Sequence, residues 1–472
     1  MSVVLINPFP NGVGLNDATI EPPLGLAYMA SMLEQRGFVC SIIDANALKL
    51  DLWQVMQVIP RDTKLIGFYI NSFSYNSVRE LATICRASLP EAVVLLGGPL
   101  ASAIPHQLLS EIPCHGLIRG EGEYAVVRVM ENIIRGKPPL DTETPNAVFC
   151  DPESREIILN PIVRIKDLDK LPFPAYHLLP PLKVYKSRSR KKPMAAIVTS
   201  RGCPHQCIFC SKDVFQRQIT FRSAANVLAE IDSLVERYGI RQIDILDDNF
   251  TQKRSHVEEI LDGLLERNYE LALNLQSGIR TEIVDHDLLS KMKKAGVYKL
   301  AFGIESADPE VLRICRKKLD LKKVEKVIET AKKMGFLVYG FFIIGLPGET
   351  EEAFARTLEF TRRMDFDVAN FCMAVPFVGT ELYRMVEAGG RFLVDTTHNI
   401  ESGFYGGNVF YEHGDLREAD IQRRYKIAYS EFYSLSKSLR ILAKIRSWTE
   451  FCWYFNAASF VLKGIVGSRF KK

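Results

Sequence analysis

Short apolar runs alternate with amphipathic stretches over the first third of the 472-residue chain. Helical spacing of the apolar residues marks residues 24–36, 77–88 and 124–135. Shorter runs, rich in β-branched residues, predict strands at residues 2–7, 39–44, 65–71, 92–98 and 115–123. Strands that alternate with helices predict a doubly wound, Rossmann-like parallel sheet over residues 1–140, with its ligand crevice at the carboxyl ends of the strands.

The same alternation resumes at residue 194 and continues for six strand–helix units. The predicted strands are residues 194–200, 242–248, 271–277, 298–304, 337–345 and 368–375. The predicted helices are residues 222–238, 254–268, 286–295, 308–315, 321–335 and 351–364. Units of this length predict a partial TIM-type (β/α)6 barrel over residues 193–395, in a protein of the α/β class. A second open, doubly wound sheet is the alternative that the pattern leaves.

Two segments do not fit this alternation. Residues 141–192 are irregular and rich in proline and charge, which predicts a linker between two domains. From about residue 414 the chain is helical, basic and aromatic, so residues 396–472 are predicted to form a helical C-terminal cap on the barrel. A basic amphipathic helix can also dock on a membrane surface, and peripheral membrane contact through this segment is the alternative.

Composition and charge narrow the class of protein. Hydrophobic residues make up 47% and charged residues 25%, as in ordinary soluble proteins. The formal net charge of +4 is too small to indicate a nucleic-acid partner. No apolar run reaches the ~18 residues that a membrane span needs. Seven of the ten cysteines are scattered singly and the chain begins MSVVLINPF, so we expect no disulfide framework and a reducing, cytoplasmic location.

The other three cysteines lie together in one short segment, TSRGCPHQCIFCS (199–211). Cys203, Cys207 and Cys210 have the spacing C-x3-C-x2-C, and cysteine thiolates are the usual ligands of iron–sulfur clusters. Three ligands for a four-iron cluster would leave one iron open for a substrate, as catalytic metal sites do. The alternative is a zinc site with His205 as its fourth ligand, although zinc sites usually draw on a second cysteine pair further along the chain.

This segment resembles the cluster-binding signature of radical S-adenosylmethionine (SAM) enzymes, including the aromatic Phe209 before the last cysteine. The resemblance extends over residues 194–390. It implies a [4Fe-4S] cluster on Cys203, Cys207 and Cys210, with SAM on the open iron and Phe209 beside its adenine. It also implies an external one-electron reductant of the flavodoxin or ferredoxin type.

The same resemblance implies roles for residues at the other strand ends of the barrel. Asp248, and next Asp247, would contact the amino group of SAM, and Arg280 its carboxylate or ribose. Glu305 would contact the ribose or the amino group, and Gly345 would let the backbone approach the adenine. All but Glu305 have a plainer interpretation: a helix N-cap for the aspartates, a surface ion pair for Arg280 and a tight turn for Gly345.

The first domain resembles the cobalamin-binding domain that precedes many such barrels. The matching segments are INPFP (6–10), PPLGLAYMAS (22–31), LLGGP (95–99), RGEGE (119–123) and LPFPAYHLLP (171–180). Gly97 and Gly98 would admit the cofactor at a strand end, and Ser72 could hydrogen-bond its nucleotide tail. The D-x-H-x-x-G motif that supplies a cobalt ligand is absent, since residues 44–48 read DANAL. A domain that only supports the structure or docks substrate is the alternative.

Together these resemblances predict a cobalamin-dependent radical SAM methyltransferase. SAM would be cleaved reductively, and methylcobalamin would methylate an unactivated carbon of a small-molecule or lipid-like biosynthetic intermediate. A cyclase or rearrangement enzyme of the same architecture, and a radical SAM enzyme whose first domain no longer binds cobalamin, are the alternatives. A non-catalytic cobalamin or metal carrier would leave the polar strand ends of the barrel without a task. No motif identifies the substrate or a residue that acts directly in catalysis.

Overall fold

The structure is a computed structural model, and it describes residues 2–10, 20–185, 189–275, 277–401 and 407–433, together with residues 437, 448 and 451. The chain divides into two compact units. The first contains Met1–Tyr185, Ser211–Gln216 and Asp395–Ser402. The second contains Lys186–Cys210, Arg217–Val394 and Gly403–Lys472.

The first unit is built on a seven-stranded sheet with the order β2-β1-β3-β4-β5-β6-β7. Its strands are β1 (Ser2–Asn7), β2 (Val39–Asp44), β3 (Thr63–Tyr69), β4 (Val93–Gly97), β5 (Gly116–Ile118), β6 (Ala147–Cys150) and β7 (Ile157–Leu159). Its helices are α1 (Leu24–Gln35), α2 (Ala45–Leu48), α3 (Leu52–Val58), α4 (Tyr75–Ser88), α5 (Pro99–Ala103), α6 (Pro105–Glu111) and α7 (Glu123–Ile134). Strands β1 to β5 are parallel in the order 2-1-3-4-5. This order confirms the predicted doubly wound sheet.

One prediction for this region was wrong. Residues 141–185, predicted to be an irregular linker, belong to the first unit, and β6 and β7 within them extend its sheet by antiparallel pairing to β5. These two apolar runs are only four and three residues long. Such short runs carry no periodicity of their own, and their pairing with β5 is a tertiary contact.

The second unit contains a six-stranded parallel sheet with the order β15-β14-β13-β12-β11-β8. Its strands are β8 (Met194–Ile197), β11 (Gln242–Ile245), β12 (Ala272–Leu275), β13 (Val297–Glu305), β14 (Leu337–Ile344) and β15 (Val368–Met373), and a short pair is formed by β9 (Ser200–Arg201) and β10 (Thr220–Phe221). Its helices are α8 (Ala224–Tyr238), α9 (Arg254–Arg267), α10 (His286–Lys294), α11 (Pro309–Ile314), α12 (Leu321–Lys333), α13 (Glu351–Met364) and α14 (Glu381–Gly389). Each strand lies beside its neighbour in sequence, as in a barrel, which confirms the predicted (β/α)6 arrangement over an open doubly wound sheet.

The chain after α14 covers the edge of this sheet. It forms the hairpin β16 (Gly390–Phe392) and β17 (Tyr411–His413), and then the helix α15 (Glu418–Phe432). Tyr429 on α15 donates a hydrogen bond of 3.1 Å to the carbonyl of Phe371 on β15, and Tyr433 donates one of 2.8 Å to Ala369. The helix thereby satisfies carbonyl groups of an edge strand that would otherwise face solvent.

The predicted C-terminal cap is thus a helix on the sheet edge as far as residue 433. The segment Asp395–Ser402 differs from the prediction because it belongs to the first unit. The basic and aromatic residues beyond 433 lie mostly outside the described residues. Among the described residues, no helix combines the length and the apolar character that a membrane crossing requires.

Candidate functional site

The cysteine loop leaves the barrel at the carboxyl end of β8, where residues 199–211 connect the strand to the next segment. All three cysteines are free thiols, Cys207 buried and Cys203 and Cys210 partly exposed. The backbone of the loop is fixed at both ends. The Gly202 amide donates a 3.0 Å hydrogen bond to Asp248, and the Ile208 amide donates one of 3.1 Å to the carbonyl of Cys315.

The donor set of this loop fits a cluster with one open iron. No group of three or more His, Cys, Asp or Glu side chains in the described ranges is arranged as a metal site, so the type and spacing of the three thiols, and not their distances, support the cluster. His205, the fourth ligand in the zinc alternative, lies 3.1 Å from the amide oxygen of Gln252. Burial, and then the charge of Arg280, lower the pKa of His205. Three thiols in one loop, with His205 in contact with Gln252, favour the iron–sulfur cluster over zinc.

Asp247 anchors the start of the loop. Its carboxylate accepts 2.6 Å hydrogen bonds from the amide and hydroxyl of Thr199 and from the hydroxyl of Ser200. The Thr199 hydroxyl also lies 2.9 Å from Nε2 of His256. Burial raises the pKa of Asp247, and burial lowers that of His256 to about 4, so the ring is neutral. The carboxylate of Asp247 is therefore used within the protein, and its predicted contact with SAM has no support in this geometry.

Asp248 has the opposite environment. It is exposed at the end of β11, and its Oδ2 accepts the hydrogen bond of the Gly202 amide, one residue before Cys203. A carboxylate beside the cysteine loop is suited to accept from an ammonium group. Of the two aspartates, Asp248 is thus the exposed one, and its contact with SAM stays a prediction.

Glu305 lies at the end of β13, as predicted, and has a partner that the sequence did not reveal. Its Oε1 lies 2.8 Å from Nζ of Lys317, and both side chains are close to nine-tenths buried. Arg280 lies in the same charged region, where it pairs with Glu282 and donates to the carbonyl of Lys318. Lys317 was missed because it stands in the run RKK (316–318), which on sequence alone is typical of a solvated surface.

Gly345 directly follows β14, in a turn that packs against the C-terminal helix α15. Its φ of +83° suits glycine, and a Cβ there would lie 3.1 Å from side-chain carbons of Ile421 on α15. Its amide donates 3.1 Å to Glu349, and its carbonyl accepts 2.6 Å from the hydroxyl of Tyr411. Packing explains this glycine, and its predicted approach to the adenine stays a prediction.

At the carboxyl edge of the first sheet, Ser72 is the polar group best placed for a ligand. In the turn after β3, Asn71 accepts from the amides of Phe73 and Ser74, and the Ser74 hydroxyl accepts from the Asn71 amide. The neighbouring Ser72 hydroxyl makes no hydrogen bond within the described residues. Ser72 therefore retains hydrogen-bonding capacity at the edge where the sheet is expected to bind its ligand.

The two glycines at the end of β4, Gly97 in the strand and Gly98 just after it, differ in their roles. Gly98 has a φ of +115°, and a Cβ would lie 2.8 Å from the carbonyl of Ile70, so the local backbone requires glycine there. Gly97 has room for a Cβ, whose nearest neighbour would be the carbonyl of Ile118 at 3.8 Å. The predicted role of both in cofactor binding stays a prediction.

In the segment DANAL (44–48), Asp44 ends β2 and the next four residues form α2 at the same edge. Asp44 is fully buried and accepts hydrogen bonds from Asn7 at 2.8 Å, from Tyr185 at 2.9 Å and from the Ala47 amide at 3.0 Å. Asn46 stands where the absent motif has its histidine, and among the described residues its buried Oδ1 has no hydrogen-bond partner. A buried acceptor without a donor at the ligand edge fits a domain that binds a cofactor there.

Two protein-family models match the chain. The model of the radical SAM superfamily matches residues 197–361, and the model of the B12 binding domain matches residues 10–130. The first match begins at the end of β8, before the cysteine loop, and continues through most of the barrel. The second covers most of the N-terminal sheet.

Relatives match across both regions. An uncharacterized methyltransferase, PH0819, of Pyrococcus horikoshii is 30% identical over 380 residues, which are 79% of this chain and 80% of the relative. The cytidylyl-2-hydroxyethylphosphonate methyltransferase of Streptomyces wedmorensis is 29% identical and covers 81% of each chain. An anaerobic magnesium-protoporphyrin IX monomethyl ester cyclase of Rubrivivax gelatinosus is 27% identical over 81% of this chain and 70% of its own.

A solved structure has the same fold. The cobalamin-dependent SAM radical enzyme OxsB, with aqua-cobalamin and SAM bound, superposes with a TM-score of 0.74 at 16% identity, over 98% of this chain and 72% of that one. The chain belongs to the radical SAM superfamily, and it carries a B12 binding domain before its barrel. These matches confirm the predicted class of enzyme, its fold and its cofactor set of a [4Fe-4S] cluster, SAM and cobalamin.

Proposed function

We propose that this enzyme is a cobalamin-dependent C-methyltransferase that acts on an unactivated carbon of a small-molecule or lipid-like biosynthetic intermediate. The observation that carries the proposal is the pairing, in one chain, of a radical SAM barrel and a B12 binding domain with a methyltransferase relative at 30% identity. When bound, the cluster and SAM supply a carbon radical that removes a substrate hydrogen, and methylated cobalamin supplies the methyl group.

The residues of the barrel bind and orient these groups. Cys203, Cys207 and Cys210 are the thiolate ligands, and Asp247 holds the strand end from which their loop begins. Asp248 accepts from the amino group of SAM. Arg280 and Glu305 bind its carboxylate and ribose, while Phe209 and the turn at Gly345 lie against the adenine.

The residues of the N-terminal sheet provide polar groups for the corrinoid. Ser72 donates to its nucleotide tail, and Gly97 and Gly98 admit the tail at the end of β4. Asn46 replaces the histidine of the motif that ligates cobalt. No imidazole from this motif would therefore ligate the cobalt.

A second candidate function is ring formation or rearrangement, which the cyclase relative favours. The two functions differ in the fate of the methyl group of SAM. A methyltransferase converts SAM to S-adenosylhomocysteine when it methylates its cobalamin, and this step needs no substrate. A cyclase that does not transfer methyl groups has no need of that step.

The partners of the enzyme follow from this chemistry. We propose a small-molecule or lipid-like substrate and an external one-electron reductant of the flavodoxin or ferredoxin type. We also propose that the enzyme is cytoplasmic. Contact of the basic C-terminal segment with a membrane surface belongs to the version of this proposal in which the substrate is a lipid.

The first experiment is anaerobic reconstitution of the full chain with iron, sulfide and hydroxocobalamin. The wild-type protein should bind four irons and one corrinoid, and the Cys203→Ala, Cys207→Ala, Cys210→Ala triple variant should lose the cluster absorption near 400 nm. Cys150→Ala, an exposed cysteine on β6, is the matched control and should reconstitute fully. A triple variant with an intact cluster, or a wild type without corrinoid, would overturn the proposal.

The second experiment distinguishes the two candidate functions. The reconstituted enzyme is reduced and incubated with SAM labelled in its methyl group, without substrate. A methyltransferase should yield labelled methylcobalamin and S-adenosylhomocysteine in equal amounts. Formation of neither product by a fully loaded enzyme would favour the cyclase or rearrangement function.

A further inference from the structure

Lys317 is a buried lysine with more hydrogen-bond donors than acceptors. Its Nζ lies 2.8 Å from Glu305 Oε1, and its side chain is only 10% exposed. An ammonium group has three N–H donors, and Glu305 is its single acceptor among the described residues. Since unsatisfied buried donors are costly, the arrangement points to further acceptors that the bound enzyme supplies.

The backbone on both sides of this ion pair adopts a conformation that non-glycine residues rarely accept. Glu305 has a φ of +65° at a register shift in β13, and Arg316, just before Lys317, has a φ of +51°. Each such residue costs about 1 kcal/mol or more. After α11, the Lys317 amide donates 2.9 Å to the carbonyl of Leu312, a helix-ending turn that redirects the chain. Two strained positions therefore bring one carboxylate and one ammonium together.

Gly303 makes room for the same pair. A Cβ at this position would lie 2.9 Å from Glu305 Oε1 and 3.3 Å from Lys317 Nζ. A larger residue would push the two charged groups apart. Gly303 and Glu305 in β13, together with Arg316 after α11, thus serve the geometry of one ion pair.

The ion pair lies beside the cysteine loop. The Ile208 amide, next to Cys207, donates 3.1 Å to the carbonyl of Cys315, two residues before Lys317. The Glu305 carboxylate, 2.8 Å from Nζ of Lys317, favours the charged form of the ammonium group. Lys317 therefore keeps its positive charge next to a cluster ligand.

We propose that Lys317 raises the reduction potential of the cluster held by Cys203, Cys207 and Cys210, and that Glu305 positions it and limits the effect. The inference rests on the proposed function, because it needs the cluster. The cluster gains one electron from the external reductant, and no bond forms or breaks. A fixed positive charge in a buried site stabilises the more negative, reduced form.

The test is a redox titration of the reconstituted full chain without SAM, followed by electron paramagnetic resonance. Lys317→Met should bind the wild-type amount of iron and sulfide and have a lower midpoint potential. The equilibrium constant for reduction should fall about tenfold, which is ~59 mV for one electron. Lys317→Arg keeps the charge and should titrate like the wild type. Lys318→Met, the exposed neighbouring lysine, is the matched control and should leave the midpoint unchanged.

A second variant changes the charge in the opposite direction. Glu305→Gln removes the carboxylate that offsets Lys317, so its midpoint should rise above that of the wild type. The midpoint potential of Glu305→Gln tests the inference even if Lys317→Met fails to retain a cluster. An unchanged or lower midpoint in Glu305→Gln, or an unchanged midpoint in a fully loaded Lys317→Met, would overturn the inference.

Two other results are distinguishable from these. If Lys317→Met titrates like the wild type but loses affinity for SAM, the ammonium contacts SAM and the inference about potential is wrong. A wild-type protein that forms no cluster at all contradicts the proposed function instead, and it does so before any variant is compared.

Discussion

The carboxyl edges of the two sheets share a buried aspartate that holds a loop, and they differ in where their charged groups lie. Each edge has a buried aspartate that ties a loop to its sheet: Asp44 holds α2 in the first unit, and Asp247 holds the start of the cysteine loop in the second. Each edge also has buried charged pairs, Glu121 with Arg164 in the first unit and Glu305 with Lys317 and Glu349 with Arg424 in the second. The pair of Glu305 and Lys317 lies beside the cysteine loop. Two further polar groups at the first edge, Ser72 and Asn46, are neutral.

A charged pair beside the cysteine loop matches the chemistry of the barrel's cofactors. An iron–sulfur cluster and SAM carry localised charges, and fixed countercharges in a buried site act on them strongly. A corrinoid is large and presents mainly a flat surface and neutral amide groups, so shape and hydrogen bonds are sufficient to bind it. The buried aspartates, by contrast, serve loop geometry in both units and carry no information about the ligand.

The largest expected effect concerns the buried aspartate of each edge. Asp247→Ala leaves the Thr199 amide and two hydroxyls without their acceptor, and Asp44→Ala does the same to Asn7 and Tyr185. Each change should lower the free energy of unfolding by about 3 kcal/mol, since buried groups lose their partners. Urea unfolding of the apo protein measures this effect.

The two aspartate variants should differ in what they bind. Asp247→Ala should lose most of its iron and keep its corrinoid, whereas Asp44→Ala should lose corrinoid and keep its iron. The conservative Asp247→Asn and Asp44→Asn variants serve as controls for polar volume. Equal loss of both cofactors in each variant would show that the two loops are not independent.

An intermediate effect concerns the second charged pair of the barrel. Burial raises the pKa of Glu349 to about 7, although Arg424 lies 3.0 Å away. The folded protein therefore binds a proton more tightly than the unfolded chain, and its stability falls as the pH rises from about 4.5 towards 7. The loss should be about 1–3 kcal/mol.

Glu349→Gln has no titrating group at this position and should remove that part of the pH dependence. Urea unfolding of the apo protein at pH 5 and pH 7.5 measures the difference for both proteins. The exposed Glu352→Gln, on the same helix start, is the control and should leave the slope unchanged. A slope shared by wild type and Glu349→Gln would contradict the assignment.

The smallest expected effect concerns Ser72 at the carboxyl edge of the first sheet. Ser72→Ala removes a hydroxyl that makes no hydrogen bond in the described structure, so the unfolding midpoint should not move. The dissociation constant for hydroxocobalamin should rise about fivefold, or ~1 kcal/mol, if this hydroxyl donates to the corrinoid. Ser74→Ala is the matched control. It should lower stability instead, because the Ser74 hydroxyl accepts from the Asn71 amide.

Much of the fold could be predicted because its elements are long and periodic. Predicted strand 298–304 is observed as Val297–Glu305, and predicted helix 351–364 as Glu351–Met364. The hairpin β6–β7 could not be predicted, since runs of three or four residues fit several structures equally well. The cysteine loop was identifiable because its chemistry lies in consecutive residues.

The sequence by itself determined the order of strands and helices, the two α/β units and the three thiols, because these features depend on local periodicity and short spacing. Only the tertiary structure decided which polar groups share a site. It turned Asp247 inward to Thr199 and left Asp248 exposed, although the two are adjacent in sequence. It also brought Lys317 to Glu305 across 12 residues. Burial and hydrogen-bond partners assign such roles, and both depend on segments that are distant along the chain.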